Sequence, residues 1–144
     1  MDKDQKIEIV ARMPVFPTED EECLANSLTN LFPDMKIEKN DEKMRLIGTC
    51  TSLGTFSELL KRQRIRDTAR TIMVRGIQGN RTRFKLNKQA AVVGRINFVG
   101  NREPQVLGEI NVTITSPNIQ ELIYEIAEST IIEENQNNID EEIE

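Results

Sequence analysis

The 144-residue sequence contains no histidine and no tryptophan, two cysteines, five prolines and only 4% aromatic residues. Each scarcity excludes something. Without histidine the commonest general base is missing, and so is any Ser-His or Cys-His nucleophilic pair. No Walker loop and no G-x-G-x-x-G turn is written in the chain, which removes the familiar nucleotide-binding glycine loops. Only lysine- or carboxylate-based chemistry is left to an enzyme, so the expectation is a non-enzymatic protein without a cofactor. Cys23 and Cys50 stand in no metal or redox spacing and read as ordinary reduced thiols, partly packed in a core. No apolar run approaches the roughly 18–20 residues needed to span a membrane. The opening MDKDQKIEIV has no apolar stretch of the secretory kind. A soluble, cytoplasmic protein with no membrane partner is expected. Phe16, Phe32, Phe56, Phe84, Phe98 and Tyr124 are too few for a base-stacking platform, and Phe84 and Phe98 read as inward-facing.

What the chain does have is segregated charge. The net charge is −5, but residues 61–102 carry twelve cations against a single acid, Asp67. After Arg102 no basic residue follows. A cationic segment beside acidic flanks suggests a polyanion partner. The competing reading is that acidic neighbours cover the cations in the folded chain.

The length fits one domain, expected over residues 1–129, with an acidic and disordered tail over 130–144. Ile7, Ile9, Ala11 and Met13 alternate with Glu8, Val10 and Arg12, as in a half-buried strand. Thr18 and Glu21 form a capping box, and the acids of residues 19–22 suit the positive end of a helix burying Leu24, Leu28 and Leu31. Two strands are expected at 35–39 and 43–49, joined by the turn-prone Asn40-Asp41. Over residues 52–76 the apolar phase is split. Leu53, Phe56 and Leu60 share one helical face, and Ile65, Ala69, Ile72 and Met73 another, about half a turn away. Either the helix breaks near residues 61–64, or a second subunit buries the surplus face; the break is the first choice. The string RTRFKL alternates Arg81, Arg83 and Lys85 with Thr82, Phe84 and Leu86. Asn87 caps a short helical turn that Gly94 stops. A strand through Ile96 and Phe98, a turn at 100–105, a strand through Ile110, Val112 and Ile114, and a helix opened by Ser116-Pro117 complete the chain. The order implies an α+β fold, two layers, with a mostly antiparallel sheet and helices on one face.

Three constellations bear on binding. Arg62, Arg66 and Arg70 fall at i, i+4 and i+8, where like charges on one helix ask for a counter-anion. Arg81, Arg83 and Lys85 form a cationic strand edge with about 6.6 Å between alternate side chains. In LNKQAAVVG, Lys88 adds charge, Asn87 and Gln89 add directional hydrogen bonds, and the helix start offers backbone N–H groups to an anion. The same string also reads as a cap whose small residues pack a turn against the sheet. GIQG at residues 76–79 looks like the GXXG clamp of KH domains, but that loop joins two helices; a C-cap and turn fit better here.

The run LKRQRIRDTARTIMVRGIQGNRTRFKLNKQAAVVGRINF closely resembles the core of an uncharacterised archaeal family of the UPF series, described as RNA-binding. The resemblance spans residues 7–127 and leaves the acidic tail outside. It implies homodimers of an α+β fold similar to the large-subunit ribosomal protein that binds five-S RNA. It also implies kinship with proteins fused to a P-loop, nucleotide-kinase-like domain. The residues expected to bind RNA are then Arg62, Arg66, Arg70, Arg81, Arg83, Lys85, Asn87, Lys88 and Gln89. A second expectation is an interaction module serving a nucleotide-kinase-like protein.

Overall fold

The computed structural model describes residues 7–42, 44–100 and 108–128. Alternation of apolar and polar residues dictates six strands, and the 3.6-residue period five helices: β1 (Glu8–Pro14), α1 (Glu21–Leu31), β2 (Lys36–Asn40), β3 (Arg45–Cys50), α2 (Gly54–Arg62), α3 (Arg66–Arg75), β4 (Ile77–Gln78), β5 (Arg81–Leu86), α4 (Lys88–Val92), β6 (Ile110–Thr115) and α5 (Ile119–Ile126). The strands form one antiparallel sheet in the order β2-β3-β1-β6-β5-β4. The expected α+β class with an antiparallel sheet is the observed one. Ile9, Ala11 and Met13 of β1, Leu46 of β3, Phe84 and Leu86 of β5, and Ile110, Val112 and Ile114 of β6 turn to the same buried side. There they join the apolar stripes of the helices in a single core.

The two-phase segment over residues 52–76 is two helices. Arg64 adopts a left-handed conformation, φ 58°, which the Cβ of an ordinary residue resists. Gln63 holds the break in place: its amide nitrogen donates to the Ile96 carbonyl at 2.9 Å, and its amide oxygen accepts from the Ile96 N–H at 2.8 Å. The turn swings α3 so that Ala69 and Met73 enter the core that Phe56 and Leu60 already occupy. Leu60 and Met73 are both fully buried within the single chain. Ile65 and Ile72 of the second set are only partly buried.

Two local expectations change. The first helix is capped by Asp20, whose carboxylate accepts from the Glu22 N–H at 3.0 Å, and Thr18 lies outside it. Glu19 lies before the cap and is engaged by a distant partner described below. The strand through Ile96 and Phe98 shrinks to one bridge, Leu86 to Phe98, flanked by the hydrogen bonds Asn87 N–H to Asn97 O and Val99 N–H to Lys85 O, both 2.9 Å. The final helix buries Ile119, Leu122, Ile123 and Ile126, as its spacing demands. From residue 101 the expected turn lies outside the described residues, as does the tail over 130–144.

Both cysteines are free thiols, Cys23 half-buried and Cys50 buried. Burial pushes the Cys50 thiol above its ordinary pKa, because the thiolate would lose its hydration. Four of the five phenylalanines pack in or against the core, and Phe16 is exposed. Phe32, Phe56, Phe84 and Phe98 follow one another with ring centroids 5.3, 5.9 and 5.6 Å apart. Such spacings suit aromatic pairs.

Candidate nucleic-acid interface

The cationic strand edge is where the alternation of RTRFKL puts it. Thr82, Phe84 and Leu86 face the core, and Arg81, Arg83 and Lys85 face the opposite, helix-free side. Strand register then decides their neighbours. Lys85 stands opposite Asn111, which stands opposite Arg12. Arg83 stands opposite Thr113, and Thr113 opposite Val10. Arg81 stands opposite Thr115, and that residue opposite Glu8. With strands about 4.8 Å apart, Arg12 lies roughly 10 Å from the β5 cations across the floor of Asn111 and Thr113. Arg12 is exposed and is not among the expected binding residues. Its outward side is readable from the alternation of β1; the order that puts β1 two strands from β5 is not.

Beside this face the sheet edge is notched. β4 pairs with β5 only at Ile77–Thr82 and Gln78–Arg81. Gly76 adds one bond, accepting from the Arg83 N–H at 3.3 Å, and Val99 covers Lys85 from the other end. Between these covers lies a cleft of about 680 Å³. Arg12, Arg75, Arg83 and Lys85 line it with Asn111 and Thr113, and among the described residues no carboxylate lines it. Glu109 does reach Lys85 at 3.7 Å, on a partly exposed nitrogen where the attraction is weak. Thr82, fully buried, donates its hydroxyl to the Met73 carbonyl and so fixes α3 against β5 behind the cleft.

Gly76 is demanded by space. Its φ of −86° suits any residue, but a methyl group there would run into the Arg83 carbonyl. Gly76→Ala should therefore lower unfolding stability by about 1–3 kcal/mol, read as a shifted urea midpoint at unchanged slope. An unchanged midpoint would mean that the α3 terminus moves freely against β5.

The other expected binding residues are placed elsewhere. Arg62 ends α2 and Arg66 opens α3, so the break at Arg64 dissolves the single-helix stripe. Arg62 is exposed beside Glu58 at 3.4 Å. Arg70 is a tie between helices: it pairs with Asp67 at 2.9 Å and donates to the Ala127 carbonyl, 3.2 Å away, at the end of α5. Arg66 is half-buried at the α3 start.

LNKQAAVVG proves structural. Asn87 accepts the Ala90 N–H at 2.9 Å, so the helix start caps itself. Fully buried Ala91 lets α1 approach α4 closely enough for Asn30 to donate to the Ala91 and Val92 carbonyls at 3.0 and 3.1 Å. Lys88 is only 4% exposed. Its ammonium pairs with Glu19 at 2.9 Å, donates to the Pro14 carbonyl at 2.8 Å and sits 5.5 Å from the centre of the Phe16 ring. The ammonium is thus committed to partners within the fold. Gln89 is exposed on α4, next to Lys88, and is not among the residues that line the cleft.

Comparison with known proteins agrees with the resemblance in the sequence. A family model described as RNA binding matches residues 8–116. A UPF0201 protein of Methanothermobacter thermautotrophicus is 38% identical over 121 residues, covering 84% of this chain and 91% of that one. A UPF0200/UPF0201 protein of Archaeoglobus fulgidus is 42% identical over 115 residues, but this chain spans only 35% of its length. The crystal structure of a UPF0201 protein from Methanococcus jannaschii superposes with a TM-score of 0.77 at 34% identity, covering 85% of this chain and 94% of the other. The chain thus belongs to the archaeal UPF0201 family, whose model carries the description RNA binding.

Proposed function

We propose that this protein binds RNA, without catalysis, through the helix-free face of its sheet. The observation that carries the reading is the convergence of Arg12, Arg81, Arg83 and Lys85 on one open face, with Arg75 at the adjoining cleft. Arginine forks and a lysine on alternating strand positions can follow phosphates while leaving the chain's sequence unread. The family description supports RNA over other polyanions. The protein works in the cytoplasm as a homodimer, two copies presenting two such faces. Arg62, Arg66 and Gln89 contribute at most from the margins.

Five neutralised phosphates on single-stranded RNA give a log–log salt slope of about −3.5. Affinity then falls about a hundredfold between 50 and 200 mM salt. Fluorescence-anisotropy titration of labelled total RNA across that range is the test, and a flat response would sink the proposal.

A second reading has its own support. The Archaeoglobus relative bears a double family name and is nearly three times the length matched here. A separate chain could therefore serve a larger, nucleotide-kinase-like partner by docking acidic protein on the same basic face. Purification from native lysate with and without nuclease separates the readings: a partner retained after nuclease favours docking.

A further inference from the structure

The open face explains phosphate attraction, but not the cleft beside it. Ile72 and Val99 are only half-buried and line that cleft together with the four cations. Its volume of about 680 Å³ is in the range of small-molecule sites. The lining also supplies Asn111 and Thr113, which present a donor–acceptor amide and a hydroxyl from the outward side of β6. An apolar wall, two hydrogen-bonding side chains and a cationic rim together exceed what a bare phosphate needs. The geometry points to a site for one unstacked nucleotide of the bound RNA: its base lies against Ile72 and Val99 within reach of Asn111 and Thr113, and its phosphate at the rim of Arg75 and Arg83. This inference rests on the RNA-binding reading and deepens it. Recognition of RNA in single strands commonly uses splayed bases, because paired and stacked bases hide their edges.

The site predicts a preference that a flat basic surface lacks. Unpaired RNA should bind more tightly than a duplex of equal phosphate number. Duplex RNA cannot place a base in the notch without breaking a pair. Val99→Trp fills the cleft while keeping every cation, and should cut single-strand affinity about tenfold with duplex affinity unchanged. Because a bulky substitution can disturb folding, the unaltered chain supplies an independent measurement. Titration with adenosine and uridine monophosphates should move the backbone amide resonances of Ile72, Gly76, Val99 and Gly100. Inorganic phosphate at equal concentration should leave Ile72 and Val99 in place.

The outcomes are separable. If both nucleotides and phosphate move only the amides around Arg81 and Arg83, the cleft is no nucleotide site and the inference is overturned. It is overturned equally if Val99→Trp folds and binds single strands and duplexes as before. If RNA binds with the steep salt slope yet nucleotides leave the cleft untouched, the broader reading survives and this one fails. If nucleotides occupy the cleft while RNA chains do not bind, the site stands as a free-nucleotide site and the RNA reading falls.

Discussion

Lys88→Ala should destabilise the fold by about 3–5 kcal/mol, a large share of the roughly 5–15 kcal/mol that holds a domain together. The side chain is 3% exposed and its partner Glu19 11% exposed, so the substitution leaves a carboxylate nearly out of water with no cation beside it. The lost ammonium also stops donating to the Pro14 carbonyl at the end of β1, and the Phe16 ring loses its cation. Glu19 meanwhile accepts the Phe16 N–H at 3.0 Å, so the connection between β1 and α1 is organised around this one pair. Replacing both partners, Lys88→Met with Glu19→Gln, should restore much of the loss, because no unpaired charge then remains buried. Urea unfolding of Lys88→Met, Glu19→Gln and the double variant measures the coupling. If Lys88→Ala unfolds at the parental midpoint and instead lowers RNA affinity, the lysine is a ligand and the strut interpretation is wrong.

Arg12→Glu combined with Arg83→Glu should have the complementary effect: RNA affinity drops at least about a hundredfold at 50 mM salt, while thermal stability stays near that of the parent. Both side chains are exposed on the helix-free face, where charge substitutions cost little stability. Two attractive contacts become repulsive, and with three cations remaining the salt slope should relax from about −3.5 to about −2.1. Arg62→Glu, on the far side of the helix break, is the comparison, and its slope should hold. Equal losses from Arg62→Glu and from the double variant would mean that net charge, not the sheet face, governs binding.

Much of the architecture is legible in the sequence, because strand and helix periods are local properties. β1, α1, the β2–β3 hairpin, β5 and α5 follow from alternation, spacing and turn residues within a few positions of one another. The helix break is legible as a conflict, since Phe56 and Met73 cannot serve one core from one straight helix. That Arg64 resolves it in a left-handed conformation is not, because nothing in the neighbouring residues marks a non-glycine for that role. The site is half legible. Arg81, Arg83 and Lys85 carry their own alternation, whereas Arg12 joins them only through the order β1-β6-β5, a fact about residues far apart in the chain. Lys88 misleads for the same reason. A lysine in a polar string looks available until Glu19, 69 residues earlier, is seen to enclose it. The tie from Arg70 to Ala127 is hidden for a related reason, because its partner is a backbone carbonyl that no side-chain pattern announces.

The position of β6 has a meaning in time as well as in space. β5 reaches the rest of the sheet only through β6, which lies between it and β1, and Glu8 finds Thr115 only when nearly the whole described chain exists. On a ribosome the first half, β1 with the β2–β3 hairpin and α1, can begin to pair as it emerges. The arginines of β5 emerge before β6, with β4 and α3 already made but with no Asn111 or Thr113 beside them and no strand to link them to Arg12. Closing so distant a pair carries the entropy of a long loop and slows folding. The open cationic face is therefore incomplete until β6 has paired with both β1 and β5. A nascent chain carries scattered charge, and only the finished molecule gathers it into a surface.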